Sequence, residues 1–345
     1  MPKTKWIMGA AVALLLSLSL VGPSSAAPKG GVNPAAFYKG SIVDFTCPAA
    51  PGGSVDFVAR AWVRFLKGEL GARAVPLSNR RAGGGLEGYM YLWNAKPNGL
   101  ALGVALRKSM TVNNILKEPG AQYRAENYSF LYAIGNSPTV AMVAPGVTLD
   151  RLKAGKGLKF ASGTSGSTGY IAATFIDALG LDAKVVLGFR SSSEARLSVQ
   201  QGESAGMTYS INTALEGMAQ KQVQPLCIIG SKRSPALPGV PALTELVTLT
   251  GEQRFRVETI WGKWQTESRM LLGPPGIPKD RLDYLRKIAK SIAERKDFRS
   301  MINSSTGYEE TDYMTGLEIE NEVKDLMKEQ ERVRRSLEQL EKYFM

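Results

Sequence analysis

Two adjacent glycines between a strand-like and a helix-like run constrain this chain most. The stretch from Ser41 to Thr46 reads as a short β-strand, and Val55, Val58, Ala59, Trp62, Val63 and Leu66 then recur at helical spacing. Pro51, Gly52, Gly53, Ser54 and Asp56 lie between the two. Glycines at such a turn permit positive φ and let a ligand approach the main chain closely. The unpaired N–H groups of a helix start, with the positive end of its dipole, favour an anion. The segment therefore reads as a loop that holds a carboxylate or phosphate without a charged side chain. The alternative is a tight βα turn capped by Ser54 or Asp56.

The same alternation runs along the chain. Strand-like runs at 42–46, 74–77, 101–106, 140–143, 158–161, 184–187 and 226–229 interleave with helical runs at 55–70, 85–94, 110–116, 169–179, 192–201 and 279–295. This predicts an α/β fold with mostly parallel sheets and helices on both faces, and ligands in such folds sit at the carboxyl ends of the strands. A second loop, from Ser162 to Gly169, has that position. Its hydroxyls (Ser162, Thr164, Ser165, Ser167, Thr168) and backbone N–H groups suit an anion held by neutral donors; the alternative is a flexible Gly/Ser connection. Arg190 also lies between a strand and a helix, where its planar fork suits a carboxylate unless it is merely solvated. Arg107 and Lys108 follow the 101–106 strand and carry the same two readings.

The N-terminus has the layout of a secretory signal peptide: Lys3 and Lys5, an apolar run over 7–21, then Ser24, Ser25, Ala26 and Ala27. Cleavage is expected after Ala26, because cutting after Ala27 puts Pro28 beside the scissile bond. The apolar run is shorter than the roughly 20 residues of a membrane span, the alternative being an uncleaved anchor. No Cys follows it to take a lipid. Loss of Lys3 and Lys5 takes the formal charge from +12 to +10. That excess attracts anionic partners, but no basic stripe interleaved with aromatics points to nucleic acid. The chain contains no His, which excludes Ser-His-Asp and Cys-His catalysis in their usual forms and His-ligated metal. No cofactor or metal is expected. Export permits a disulfide between Cys47 and Cys227; burial as free thiols in apolar strands is the favoured reading.

Taken together these residues resemble the solute receptors of tripartite tricarboxylate transporters, the Bug or TctC-like family, over about 40–335. Pro48-Ala-Ala-Pro-Gly-Gly-Ser-Val-Asp56 with Ala59-Arg60 is similar to its Pro-x-x-Pro-Gly-Gly-x-x-Asp and following Ala-Arg. Asn79-Arg-Arg-Ala-Gly-Gly-Gly85 and Pro97-Asn-Gly99 resemble its next two motifs. Lys232-Arg-Ser-Pro-Ala-Leu-Pro-Gly-Val-Pro241 with Glu245, and Gly273-Pro-Pro-Gly-Ile-Pro278, resemble later ones. The resemblance implies a two-lobed, periplasmic binding protein-like α/β fold with a ligand cleft between the lobes. Crossings are expected near 140–145 and 259–264, giving lobe one as 40–144 with 259–335, lobe two as 145–258, and a helical extension over 336–345.

By position, the resemblance implies that Pro51, Gly52, Gly53, Ser54 and Asp56 bind ligand from lobe one. Ser162, Gly163, Thr164, Gly166, Ser167 and Thr168 would bind it from lobe two, with Arg190 where the family keeps a Lys. Ser191 and Ser192 depart from the family's Gly-Gly, Tyr170 stands where His is frequent, and a Val-Asp pair is missing around 202–207. Val323, Leu326, Val333, Leu337, Leu340 and Phe344 space like a coiled-coil seam, either packed on lobe one or offered to a partner. The expected function is capture of a small organic carboxylate and delivery to membrane permease subunits, by a monomer and without catalysis. A sensor for a membrane histidine kinase and an exported hydrolase are the other readings; the missing His weighs against the hydrolase.

Overall fold

The computed structural model describes residues 33–163, 165–264, 267–306 and 312–345. The expected signal peptide, 1–26, and Thr164 lie outside them. The described strands form two sheets. The first takes β1 (Asp44–Cys47), β2 (Leu77–Asn79), β3 (Ala101–Leu106), β4 (Ser129–Ser137), β10 (Glu267–Gly273) and β11 (Tyr313–Thr315), in the order β11-β4-β10-β3-β1-β2. The second takes β5 (Thr139–Val143), β6 (Leu158–Ala161), β7 (Ala183–Val186), β8 (Gly206–Ser210) and β9 (Gln224–Ile229), in the order β7-β6-β8-β5-β9.

Both sheets are mixed, not mostly parallel. β1 pairs in parallel with β2 and β3, and β6 with β7 and β8, as the strand–helix alternation dictates. β5 runs antiparallel to β8 and β9, and β10 antiparallel to β3 and β4. These two strands enter a sheet after the chain has come from the other one, so their direction is set by the crossing and not by a βαβ unit. The first change of sheet falls at Pro138, the one residue between β4 and β5. Proline has no N–H to give to a ladder and suits such a break. Residues 140–143, expected at the crossing and counted with lobe one, are buried inside β5 of the second sheet. The segment 259–264 ends a π-helix, Phe255–Trp264, that precedes β10.

The helix Ser54–Glu69 covers one face of the first sheet. Trp62, fully buried, meets Phe298 of the helix Lys296–Thr306 with ring centroids 4.7 Å apart. The C-terminal run begins on the first sheet, where Arg286 ties the helix Gly316–Lys328 through Glu320 at 2.5 Å and Arg107 ties it through Glu322. It continues as the helix Gln330–Glu338 and reaches the second sheet, where Phe344 forms a bridge with Val185 of β7 and the Met345 N–H donates to the Val185 carbonyl at 3.2 Å. Val323, Leu326, Val333, Leu337 and Leu340 are at most 1% exposed. The seam spacing is thus the internal face of two successive helices that pack onto both sheets, not onto lobe one alone. Cys47 and Cys227 are buried free thiols in strands of different sheets.

Candidate ligand-binding site

A cavity of about 120 Å³ lies where elements of the two sheets meet. Leu106, Lys108 and Ser109 contribute from the end of β3 and the start of the helix Arg107–Ile115. Thr139, the first residue of β5, forms part of the wall. Ser167, Thr168 and Ile171 come from the turn of π-helix Ser165–Gly169 and the helix after it. Thr208, Tyr209 and Ser210 close the set from the carboxyl end of β8. Strand register explains the clustering. Thr139 is paired with Ser210, and Thr208 lies two residues back along β8, so three hydroxyl side chains share one face of the sheet.

Hydroxyl groups and one cation line the cavity beside Leu106 and Ile171. Lys108 is 6% exposed, and its ammonium donates to Thr139 Oγ1 at 3.0 Å. Ser162 donates to Thr168 Oγ1 at 3.0 Å and stiffens the second glycine loop. Burial pushes the Tyr209 phenol up to about 12 against the opposing Gly163 N–H, so it stays a neutral donor. Thr208 Oγ1 is buried with no hydrogen-bond partner among the described residues. Arg269 of β10, directly opposite Leu106, is 1% exposed, and its Nε and Nη1 also lack acceptors there. An anion in the cavity would sit against the Lys108 ammonium, at the same end of the first sheet as Arg269.

No family model matches the chain. Curated relatives do. It is 25% identical over 228 residues to protein BugT of Bordetella pertussis, covering 61% of the chain and 67% of BugT. It is also 25% identical over 261 residues to a protein of the tcbD–tcbE intergenic region of Pseudomonas sp. strain P51, covering 73% and 74%. The chain is similar to Bug/TctC-type solute-binding proteins. Solved structures share its fold. Periplasmic binding protein BugD superposes with a TM-score of 0.68 at 18% identity over 87% of this chain and 99% of BugD. MatC of Rhodopseudomonas palustris, solved with bound malate, gives 0.64 at 18% identity over 86% and 99%. The fold is the two-lobed one expected.

In this chain the expected site residues fall into separate groups. Ser167 and Thr168 line the cavity, with Ser162 and Gly163 in the strand-to-loop connection beside them. Gly166 lies within the described π-helix turn. Pro51, Gly52 and Gly53 are exposed at the start of the helix Ser54–Glu69, which no side chain caps, and they are not among the described residues lining the cavity. Positive φ is used by Gly52, at +83°, and not by Gly53, at −83°. Asp56 is 1% exposed, and its carboxylate is taken up by the turn and its neighbours. It accepts the Gly52 N–H at 2.9 Å, Arg60 Nε at 2.7 Å and Asn79 Nδ2 at 2.8 Å. Burial alone would raise its carboxyl, but these three donors outweigh it and hold the carboxyl below the usual range.

Asn79 also donates to the Ala49 carbonyl at 2.8 Å. Gly85, at φ +98°, packs so closely that an added Cβ would meet the Pro48 carbonyl oxygen at 2.9 Å. The Pro48–Asp56 and Asn79–Gly85 motifs are therefore one braced unit. Arg190 is exposed, and its backbone N–H donates to Glu194 Oε2 at 2.7 Å. Lys108, which sequence reasoning left open between an anion contact and a solvated pair with Arg107, is buried and lines the cavity. Thr139, Thr208 and Ser210 were missed because β8 and the exact break at Pro138 carry no strong local signal.

Proposed function

We propose that the chain is a periplasmic receptor that binds a small organic carboxylate reversibly and presents it to the membrane subunits of a tripartite tricarboxylate-type transporter. The observation that carries this reading is the cavity closed jointly by Lys108 and Ser109 of one sheet and by Ser167, Thr168 and Thr208 of the other. A ligand held there touches groups of both sheets at once. The named relatives support the class, since MatC was solved with malate and an R. palustris protein of the same fold with adipate. The Pro51–Ser54 loop, with its uncapped helix start, is proposed as a second contact for ligands that extend beyond the cavity. Arg190 is proposed to face solvent until such a ligand arrives.

A thermal-shift screen of mono-, di- and tricarboxylates tests this. A binder at about 100 times its dissociation constant adds roughly 2.7 kcal/mol of stability. No shift from any carboxylate, with shifts from neutral sugars or amines, would overturn the assignment.

A further inference from the structure

We propose that the cavity is a subsite for one compact 2-hydroxy carboxylate head, with Lys108 facing the carboxylate and Thr208 reading the hydroxyl. The inference rests on the receptor reading above and narrows its ligand. Two helices of nine residues, Arg107–Ile115 and Ile211–Ala219, start at this cavity. Their N-cap positions, Leu106 and Ser210, both line it, and neither start is capped by a side chain. The first N–H of the second helix is spent on the Pro138 carbonyl at 3.2 Å, so its remaining contribution is the field of the dipole. Two positive helix ends and the Lys108 ammonium converge on a small volume, which suits one anionic group.

The independent observation is Thr208. Its hydroxyl is 1% exposed, lines the cavity and has no hydrogen-bond partner among the described residues. A buried hydroxyl without a partner is costly, so a ligand polar group that supplies the missing bond is selected for. Thr139 and Ser210 flank it on the same sheet face and can share the same ligand hydroxyl. Size sets the rest. The cavity is small, about 120 Å³, which suits a single compact head.

Isothermal titration of the whole receptor with glycolate, lactate, propionate, adipate and benzoate decides the matter. Lactate should bind about tenfold or more tighter than propionate, which lacks only the hydroxyl. Thr208→Val, nearly isosteric, should erase that preference while leaving propionate affinity within about threefold. Lys108→Met should weaken every acid, and Lys108→Arg serves if that variant does not fold. Lactate binding no tighter than propionate, or an unchanged lactate preference in Thr208→Val, would overturn the subsite while leaving the receptor reading standing. Failure of every acid to bind would sink both.

Discussion

Asp177→Ala should loosen the C-terminal run from the second sheet and cost about 2–4 kcal/mol. In the native chain the Asp177 carboxylate takes Arg256 Nη1 at 2.9 Å and the Tyr343 hydroxyl at 2.9 Å, with Lys342 Nζ at 3.7 Å. Arg256 is the buried partner, its side chain 4% exposed against 14% for Asp177. Its other contacts are the Ser336 carbonyl and hydroxyl at 3.1 Å, Gln339 Oε1 at 2.6 Å, and a half-exposed Glu252 at 3.8 Å. Removing one member of a buried ion pair costs about 3–5 kcal/mol when the other is left alone. Here Arg256 keeps neutral acceptors, which places the loss toward the lower end, and Tyr343 loses its acceptor as well. Tyr343→Phe removes one hydrogen bond to a charged group and no charge, so about 1.5 kcal/mol is expected from it. Urea unfolding of both single variants and the double variant separates the shared part. Hydrogen exchange supplies the structural readout, because β7 is covered by Phe344 and Met345 and its amides should exchange faster in Asp177→Ala. A loss under about 0.5 kcal/mol, well below a buried pair's usual worth, would refute the argument that the tail is held by this charge.

Three further outcomes are expected. Asp56→Ala should destabilise by about 1.5–3 kcal/mol, Arg60 adding little because it is more than half exposed; an unchanged urea midpoint would remove its bracing role. The Asp56 carboxyl is depressed in the folded state, so its stabilisation is present above its unfolded pKa of about 3.9 and is lost as pH falls through the lower folded value; Asp56→Asn should flatten that acid limb in pH-dependent unfolding. Lys108→Ala should weaken carboxylate binding about tenfold or more, and Arg190→Ala less, by titration; the reverse order would move the anion site to the exposed edge of lobe two.

The α/β class was legible because β1, β3 and β6 are each followed by a helix with a clean apolar period. The 101–106 and 158–161 runs match β3 and β6 residue for residue. The strands that escaped are the ones that do not follow this rule. β4 and β10 are nearly continuous buried runs with polar ends, and β10 carries a charged Arg269 in mid-strand, which reads as surface. β8 opens on Gly206, a residue that argues against a strand by propensity. Its lack of a side chain is required there, since a Cβ would meet the Met142 carbonyl oxygen and a Phe160 ring carbon, each at 2.7 Å. The site suffers from the same blindness. Glycine and hydroxyl loops can be found by composition, but a cation such as Lys108 becomes a site residue only when the other sheet folds over it. Burial is a tertiary property, and no local pattern around Arg107 and Lys108 announces it.

The placement of the cavity also bears on how such a receptor would close. Thr139 adjoins the Pro138 crossing itself, and Lys108 binds it, so the cavity sits beside a crossing between the sheets, where a rotation of one against the other would pivot. A rotation moves groups in proportion to their distance from its axis. Groups at the pivot therefore keep nearly the same arrangement in open and closed states, and a carboxylate held by Lys108 there gains similar energy in both. Such contacts raise affinity but cannot drive closure, since a ligand shifts an equilibrium only by its differential affinity for the two states. The differential must come from groups farther out, and the Gly52–Gly53 turn braced by Asp56 and Asn79, proposed above as a second contact, is the candidate. The C-terminal run adds a third link beside the two crossings, through Phe344 on β7 and Glu320 on Arg286. Three links define a narrower path than two, so the energy needed from the distal loop goes into one motion instead of being spread over twisting and sliding. On this reading the buried cation sets how tightly the receptor binds, and the glycine turn sets whether binding is felt as closure.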